Sequence, residues 1–311
     1  MFISKKILFY CFITIVMSQS LTAQSFISIS IDDVPNTFFY DYTLEKPALL
    51  HTLDSLQIPV SIFINEKNVY ANGDSLKNYT WLKKWVNRSY ITLGNHSYSH
   101  FHYSEVGFEP FSQDILKGQL LTMEFNTEKK PLTLFRFPYN DLGNDSLEHA
   151  KIREFLTEHN YTIAPFTIES SDWLFNSLYE RYLELGDHKN AHRIGLEYVS
   201  FTMKQVDFFE NLTLEVYKRP IKHIYLCHDS KLNAKYLPLL LIELKQKEYS
   251  FTSIEDALSD PIYQSENFYF KKYGVSWLYR WIEDAKLRMS YMRKEPSLDH
   301  IEAELNALNK N

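Results

Sequence analysis

Residues 26–33, FISISIDD, alternate isoleucine with serine and then end in two adjacent aspartates. In an extended strand, this alternation places the three isoleucines on one face and the two serines with Asp32 on the other. We expect the isoleucines to face surrounding helices and the serines to line the inside of a barrel. Asp32 would then point inward at the mouth of that barrel. The stretch therefore predicts a buried strand whose carboxyl end carries chemistry.

Six further β-type runs follow this stretch, and longer segments of helical character separate most of them. The runs are residues 60–64, 90–93, 132–135, 161–168, 223–226 and 249–253. Strands that alternate with helices favour parallel pairing through crossover helices. Seven such units with polar residues at the strand ends indicate a (β/α) barrel more than an open sheet. The sequence therefore predicts an α/β fold with a single catalytic domain.

The first residues have the features of an export signal. Lys5 and Lys6 precede an apolar run, and Leu21-Thr22-Ala23 offers a small-residue cleavage site. Because the run is too short to span a bilayer, we expect residues 1–23 to be removed and to leave no membrane anchor. The predicted location is periplasmic or secreted.

The chain as a whole has an ordinary globular composition. It is 45% hydrophobic with a formal net charge of −6, so no basic bias favours a nucleic-acid partner. Cys227 is the one cysteine beyond the predicted signal, which excludes an internal disulfide, and its register predicts an outward-packed, unreactive side chain. We expect the catalytic domain over residues 24–260 and an aromatic, helical extension over residues 261–311 that packs on the barrel.

Five short polar segments lie where the apolar runs end. They are Asp32-Asp33, His96-Ser97-Tyr98-Ser99-His100, Arg136-Phe137-Pro138-Tyr139, Ser171-Asp172-Trp173 and Leu226-Cys227-His228. The carboxyl ends of parallel barrel strands meet on one face, where active sites are built. We therefore expect these segments to form one site.

The histidines of the second segment suggest a metal site. His96 and His100 stand four residues apart, a spacing that puts both rings on one face of a helical turn. In isolation such a spacing more often reflects two surface histidines, but the position just after a strand favours ligands. Asp33 is the natural third ligand, and two histidines with one carboxylate leave coordination positions open for water and substrate.

The two adjacent aspartates need different roles, because like charges at one strand end repel. A metal beside Asp33 and an arginine beside Asp32 would keep both carboxylates ionised. Arg136 lies at a neighbouring strand end and is our candidate for that arginine.

Taken in this order, the five segments resemble the polysaccharide deacetylase family, the carbohydrate esterases that share the NodB-homology domain. The resemblance extends from about residue 26 to residue 253. It implies a deformed (β/α) barrel, often with seven strands, and a bound divalent ion. Zinc is the expected ion, with cobalt or manganese as alternatives.

The resemblance also implies a role for each matching residue. Asp32 corresponds to the general base, held by Arg136, and His228 to the general acid, oriented by Asp172. Asp33, His96 and His100 correspond to the metal ligands. The backbone N–H of Tyr139 would stabilise an oxyanion, and Trp173 and Leu226 are expected to line the acetyl pocket.

Three positions depart from the family pattern, and one of them, Cys227 between Leu226 and His228, varies without consequence if it points outward. The other two are at Val34 and Asn140. Val34 stands where glycine usually follows the aspartate pair, and Asn140 stands where glycine usually follows the third segment. Asn tolerates a left-handed backbone better than most residues, so the second change is mild. The first implies a differently shaped loop and leaves the substrate open.

The sequence thus predicts a metal-dependent hydrolase that removes N-acetyl groups from an amino-sugar polymer or oligosaccharide. A carbohydrate esterase that removes O-acetyl groups, as from xylan, would use the same atoms. A catalytically weak carbohydrate-binding protein on the same fold is a third reading. The intact set of polar residues argues against that third reading.

Overall fold

The structure is a computed structural model that describes residues 24–126, 133–272 and 274–310. The predicted signal peptide, residues 1–23, lies outside the described residues and stays a prediction. The strands are β1 (Phe26–Val34), β2 (Val60–Ile64), β3 (Ile91–Asn95), β4 (Thr133–Phe135), β5 (Tyr161–Ile163), β6 (Ile168–Glu169), β7 (Lys222–His228) and β8 (Ser250–Phe251).

Helices connect the strands and cover the outside of the sheet. They are α1 (Ala48–Leu56), α2 (Ser75–Val86), α3 (Tyr103–Val106), α4 (Phe108–Lys117), α5 (Leu120–Phe125), α6 (Ser146–Glu158), α7 (Asp172–Glu184), α8 (His188–Leu212), α9 (Lys231–Gln246), α10 (Ile254–Leu258), α11 (Trp277–Arg280), α12 (Ala285–Met292) and α13 (Asp299–Leu308). Short 3-10 turns occur at Glu66–Gly73, Pro138–Asn140 and Pro261–Gln264, and a π turn at Thr213–Tyr217. None of the described helices is both long and apolar enough to cross a bilayer.

Seven strands pair in parallel in the order β5-β4-β3-β2-β1-β7-β6, and β8 pairs with the start of β1. Because this path ends at β5 and β6, the described residues form an open half-barrel. The predicted α/β fold, a deformed barrel with seven parallel strands in one domain, is confirmed.

One predicted strand is wrong. The run 161–168 forms both edge strands, β5 and β6, instead of one strand. Ala164 donates its N–H to Phe135 on β4, whereas Thr167 donates to Ile224 on β7, so residues 164–167 cross the opening of the half-barrel. Pro165 lies in this crossing and has no N–H to give to a ladder.

The faces of β1 follow the predicted alternation. The isoleucines are fully buried in the main core together with residues of the helices. Ser30 lies inside the half-barrel, where its hydroxyl accepts a hydrogen bond of 3.1 Å from Arg136. Cys227 belongs to the main core, where burial raises the pKa of its thiol well above the usual value. This confirms its prediction as an outward-packed residue.

The C-terminal part of the chain packs against the opening between β5 and β6. Trp277 donates its backbone N–H to the Phe166 carbonyl at 3.1 Å, and the Ser276 hydroxyl donates to the Thr167 carbonyl at 2.7 Å. These bonds give backbone carbonyls of the crossing segment the partners that a neighbouring strand would supply. The boundary at residue 260 between domain and extension stays a prediction.

Candidate functional site

The carboxyl ends of the strands bring the predicted polar residues together. Asp32 and His228 are neighbours in the β1–β7 register, so the first and fifth segments meet directly. The second segment follows β3, and the third follows β4, which pairs with β3. Asp172 begins the helix that follows β6. Parallel pairing alone therefore gathers these groups at one end of the sheet.

An irregularity in β1 places both aspartates on the same side. In a regular strand their side chains would point to opposite faces. Here the β1–β2 register shifts between Ile31 and Val34, and Asp33 has a left-handed backbone with φ of 62°. The shift resembles a β-bulge, which redirects side chains near active sites. As a result, His96 Nε2 lies 3.7 Å from Asp32 Oδ2 and 3.8 Å from Asp33 Oδ1.

Asp33, His96 and His100 form a candidate metal triad. One possible ligand atom from each residue lies within 4.8 Å of the others, and His100 Nε2 is 3.4 Å from Asp33 Oδ1. Two imidazoles and one carboxylate match the ligands that zinc and similar ions take in catalytic sites. The residues present therefore fit a divalent ion.

The hydrogen bonding of His96 supports its role as a ligand. Its Nδ1 lies 2.9 Å from the Arg136 carbonyl, which can only accept, so Nδ1 carries the proton and Nε2 is free to face Asp33. Burial, followed by the nearby His100, lowers the pKa of His96 to about 3. The ring is therefore neutral, as metal binding requires.

The prediction that His96 and His100 share a helical turn is wrong. Residues 96–100 form a loop, in which Ser97 and His100 have left-handed φ values of 61° and 59°. Asp114 holds this loop, because its carbonyl accepts the Tyr98 N–H and its carboxylate accepts the Ser99 N–H. The loop still brings the two rings together, with centroids 4.9 Å apart.

A glycine beneath the loop permits this geometry. A Cβ at Gly118 would lie 2.4 Å from the Ser97 carbonyl carbon, so a side chain there would displace the loop of residues 96–100. Gly118 and Asp114 were not singled out from the sequence. Their role depends on a contact between helix α4 and the loop that no local pattern reveals.

Arg136 lies inside the half-barrel beside Asp32. Its Nη1 is 3.7 Å from Asp32 Oδ2, and its guanidinium lies over the Phe63 ring at 4.4 Å from the centroid. Burial raises the pKa of Asp32, and the positive charge of Arg136 partly opposes this. Asp32 Oδ1 is buried and has no hydrogen-bond partner among the described residues. That oxygen is available to a water or substrate proton.

Asp172 and His228 form a tight pair. His228 Nδ1 lies 2.7 Å from Asp172 Oδ1, and the His228 backbone N–H donates to Oδ2 at 2.8 Å. Burial alone would lower the pKa of His228, but the charge and hydrogen bond of Asp172 override it and raise the pKa to about 10. Burial likewise opposes ionisation of Asp172, yet its contacts with His228 keep its pKa below the usual value. The pair is a carboxylate with an imidazolium.

Asn233, which the sequence did not single out, completes this pair. Its Nδ2 donates to Asp172 Oδ2 at 2.6 Å and to the His228 carbonyl at 2.9 Å. The Tyr198 hydroxyl donates to Asn233 Oδ1 at 2.6 Å, which fixes the orientation of the amide. In the sequence, Asn233 is marked only by its position three residues after Ser230, which caps the start of α9.

The remaining predicted residues differ in exposure and surroundings. Tyr139 is 50% exposed, stacks on His102 at 3.5 Å between centroids and lies 4.4 Å edge-on from His100. Trp173 is 56% exposed on the first turn of α7, and Leu226 is buried in the half-barrel. Trp173 is therefore free to contact a ligand.

The loop after Val34 is tied to the fifth segment. Val34 is fully buried and ends β1, so it fills space in the core. Beyond it, the Asn36 N–H donates to Asp229 Oδ2 at 3.0 Å, and the Tyr40 hydroxyl donates to the same oxygen. Asp229 directly follows His228, so the differently shaped loop is fastened beside the predicted acid.

Comparisons with known proteins agree with this architecture. The polysaccharide deacetylase family model matches residues 20–163. A wild-type CE4 family pseudoenzyme from Bacillus anthracis is 15% identical, with a TM-score of 0.51 over 76% of this chain and 66% of that one. A mutant of it with restored enzymatic activity is 16% identical, with a TM-score of 0.51 over 76% of this chain and 68% of that one.

A third solved structure is a peptidoglycan N-acetylglucosamine deacetylase bound to a substituted N-hydroxybenzamide. It is 16% identical, with a TM-score of 0.50 over 76% of this chain and 88% of that one. At these identities the likeness shows the fold alone. A search of curated proteins found no match.

The parallel half-barrel with polar strand ends is the architecture of CE4 carbohydrate deacetylases. Residues 20–163, just under half of the chain, match the polysaccharide deacetylase family model, and the solved structures above share its fold. The matched region contains Asp32, Asp33, His96, His100 and Arg136, and it ends before Asp172 and His228. The family is one of hydrolases that act on acetylated carbohydrate.

Proposed function

We propose that this chain is an exported, metal-dependent hydrolase that removes N-acetyl groups from an amino-sugar polymer or oligosaccharide. The observation that carries the proposal is the coincidence of three groups at one barrel end. These are a buried carboxylate with a free oxygen, an imidazolium paired with a second carboxylate, and a metal triad. Amide hydrolysis needs a base, an acid and an electrophile in this arrangement.

Each residue has one task in this mechanism. Asp33, His96 and His100 would hold a divalent ion, with zinc expected and cobalt or manganese as alternatives, and this ion would supply Lewis-acid polarisation of the acetyl carbonyl and of water. Asp32 accepts the proton of the attacking water at Oδ1, while Arg136 offsets its charge. The N–H of Tyr139 donates to the developing oxyanion.

His228 completes the reaction as the acid. An amine is too basic to leave unprotonated, and His228 is charged because Asp172 raises its pKa to about 10. The exposed Trp173 side chain and Leu226 would line the acetyl pocket. The export part of the proposal rests on the charged start and apolar run in residues 1–23.

The test is acetate release from chito-oligosaccharides, peptidoglycan fragments and acetylated xylan, with zinc, cobalt or manganese supplied. We expect release from the N-acetylated substrates. Asp32→Asn should reduce kcat by about 10²–10⁴-fold, the usual contribution of a general base, without changing the metal content. Release from xylan alone would indicate an O-acetyl esterase. No release from any substrate would favour a carbohydrate-binding protein.

A further inference from the structure

The turn that carries Tyr139 is conformationally unfavourable. Within this Tyr139 turn (Pro138–Asn140), Tyr139 and Asn140 both have left-handed backbones, with φ of 56° and 50°. Two consecutive non-glycine residues in this region persist only where surrounding structure enforces them. The position of the Tyr139 N–H therefore depends on contacts from outside the turn.

Those contacts come from residues 274–280, which we call the C-terminal segment. Asn140 Nδ2 donates to the Val275 carbonyl at 2.7 Å, and the Trp277 indole N–H donates to Asn140 Oδ1 at 2.9 Å. Arg280 Nη2 donates to the Asn140 carbonyl at 3.1 Å. Because an indole only donates and a carbonyl only accepts, both ends of the Asn140 amide are assigned without ambiguity.

The segment also touches the turn backbone to backbone. A Cβ at Gly274 would lie 2.3 Å from the Tyr139 carbonyl oxygen, and no left-handed φ demands glycine there. Glycine at this position is therefore explained by the close approach to Tyr139.

The C-terminal segment is itself fixed to the barrel. Its Trp277 N–H and Ser276 hydroxyl bind the carbonyls of Phe166 and Thr167 in the crossing between β5 and β6. The turn is thus held against the sheet that also carries the other site residues.

We propose that the C-terminal segment is a positioning element of the active site, which sets the Tyr139 N–H through Asn140. The proposal rests on the proposed function, in which that N–H binds the oxyanion. It gives Asn140 a reason to replace the usual glycine, since glycine lacks the amide that the segment binds. It also gives a function to a segment outside the family-matched residues 20–163.

The test compares Trp277→Phe with Trp281→Phe. Both tryptophans are buried in one aromatic cluster, with ring centroids 6.1 Å apart, and the indole of Trp277 binds Asn140. An oxyanion donor acts mainly in the transition state, so Trp277→Phe should lower kcat about 10-fold with KM and metal content nearly unchanged. Trp281→Phe should stay within about 2-fold of wild type. Equal effects of the two variants would overturn the proposal.

A double variant sharpens the kinetic result. Asn140→Gly removes the amide, so adding Trp277→Phe to it should cause no further loss of kcat. Adding Trp281→Phe to Asn140→Gly should multiply the separate effects. Multiplicative losses in the Asn140→Gly/Trp277→Phe variant would show that the indole does not act through Asn140.

Amide hydrogen exchange tests positioning without activity. Trp277→Phe should speed exchange over residues 138–141, and Trp281→Phe should not. If Trp277→Phe folds poorly, Gly274→Ala takes its place as the test variant. It adds an atom against Tyr139 instead of removing a hydrogen bond, and it should also speed exchange over residues 138–141. If wild-type protein released no acetate, the proposed function would fail while exchange still decided the positioning. Unchanged amide exchange over residues 138–141 in both Trp277→Phe and Gly274→Ala would overturn the proposed positioning role.

Discussion

The metal triad and the Asp172–His228 pair share one end of the barrel but are held in different ways. Asp33 and His100 have side chains that are 31% and 22% exposed, on left-handed backbones. Asp172, by contrast, is buried and accepts two hydrogen bonds from His228 and one from Asn233. The pair is therefore preorganised by the protein, whereas a bound ion would offset the cost of gathering the more exposed ligands of the triad. Substitutions in the triad and substitutions in the Asp172–His228 pair should therefore have different effects.

The largest expected effect comes from breaking the triad. His96→Ala and His100→Ala should each reduce metal affinity by more than the ~10–100-fold that loss of an outer hydrogen-bond partner causes. Activity should fall to background, because the electrophile is lost. The measurement is metal content after dialysis.

His102→Ala is the matched control for these variants. His102 stacks on Tyr139 beside the triad, but it is not one of the three candidate ligands. It should keep its metal. Full metal content in His96→Ala would place the ion elsewhere.

A smaller effect is expected from Asp172→Asn, and it should appear in the pH profile. The pKa of His228 is raised from 6.5 to about 10, so the acid stays protonated until pH rises through about 10. Without the Asp172 charge this pKa should fall by ~1–3 units, which moves the alkaline limb of kcat/KM to lower pH. Asp32 and Asp33 also raise the pKa and remain in the variant. An unmoved limb would contradict His228 as the acid.

The same shift predicts the pH dependence of stability. A pKa that is higher in the folded state stabilises the protein fully below about 6.5 and progressively less up to about 10. Wild-type Tm should therefore fall across this window more steeply than that of Asp172→Asn. Metal content should be equal in the two proteins, since Asp172 is not in the triad.

The smallest expected effect is that of Asn233→Ala. Asp172 keeps both bonds from His228, so we expect a loss in kcat of about 10-fold and an alkaline shift below ~1 unit. Asn176→Ala is a matched control, because the Asn176 side chain accepts the Leu232 N–H at the start of the same helix without touching the pair. Similar pH profiles for both variants would reduce Asn233 to a structural role.

The sequence predicted what depends on strand periodicity. Alternation in residues 26–33 predicted the core face of β1 and the outward side of Cys227, and both were confirmed. The polar strand ends predicted which side chains meet, because parallel strands bring their carboxyl ends together. Asp172 and His228, 56 positions apart, lie within hydrogen-bonding distance for this reason.

Structural features that do not follow from strand periodicity were either missed or predicted wrongly. The register shift at Asp32-Asp33, the non-helical loop of residues 96–100 and the division of the run 161–168 all depend on contacts distant in sequence. Asn233 is 61 positions from Asp172, and the Asn140 amide binds Trp277 at a separation of 137. An isolated asparagine in a sequence gives no sign of such partners.

The pairing of β1 with β7 and β8 has a consequence for how the protein is made. The first strand of the described chain hydrogen-bonds along its length with a strand that is synthesised much later. Non-local pairing of this kind folds slowly, and an unpaired strand edge invites association with other chains. The nascent chain must keep β1 unpaired on that side until residues 222–228 emerge. Asp32 then meets His228 late in folding, so a chain that lacks residues 222–228 cannot bring Asp32 and His228 together.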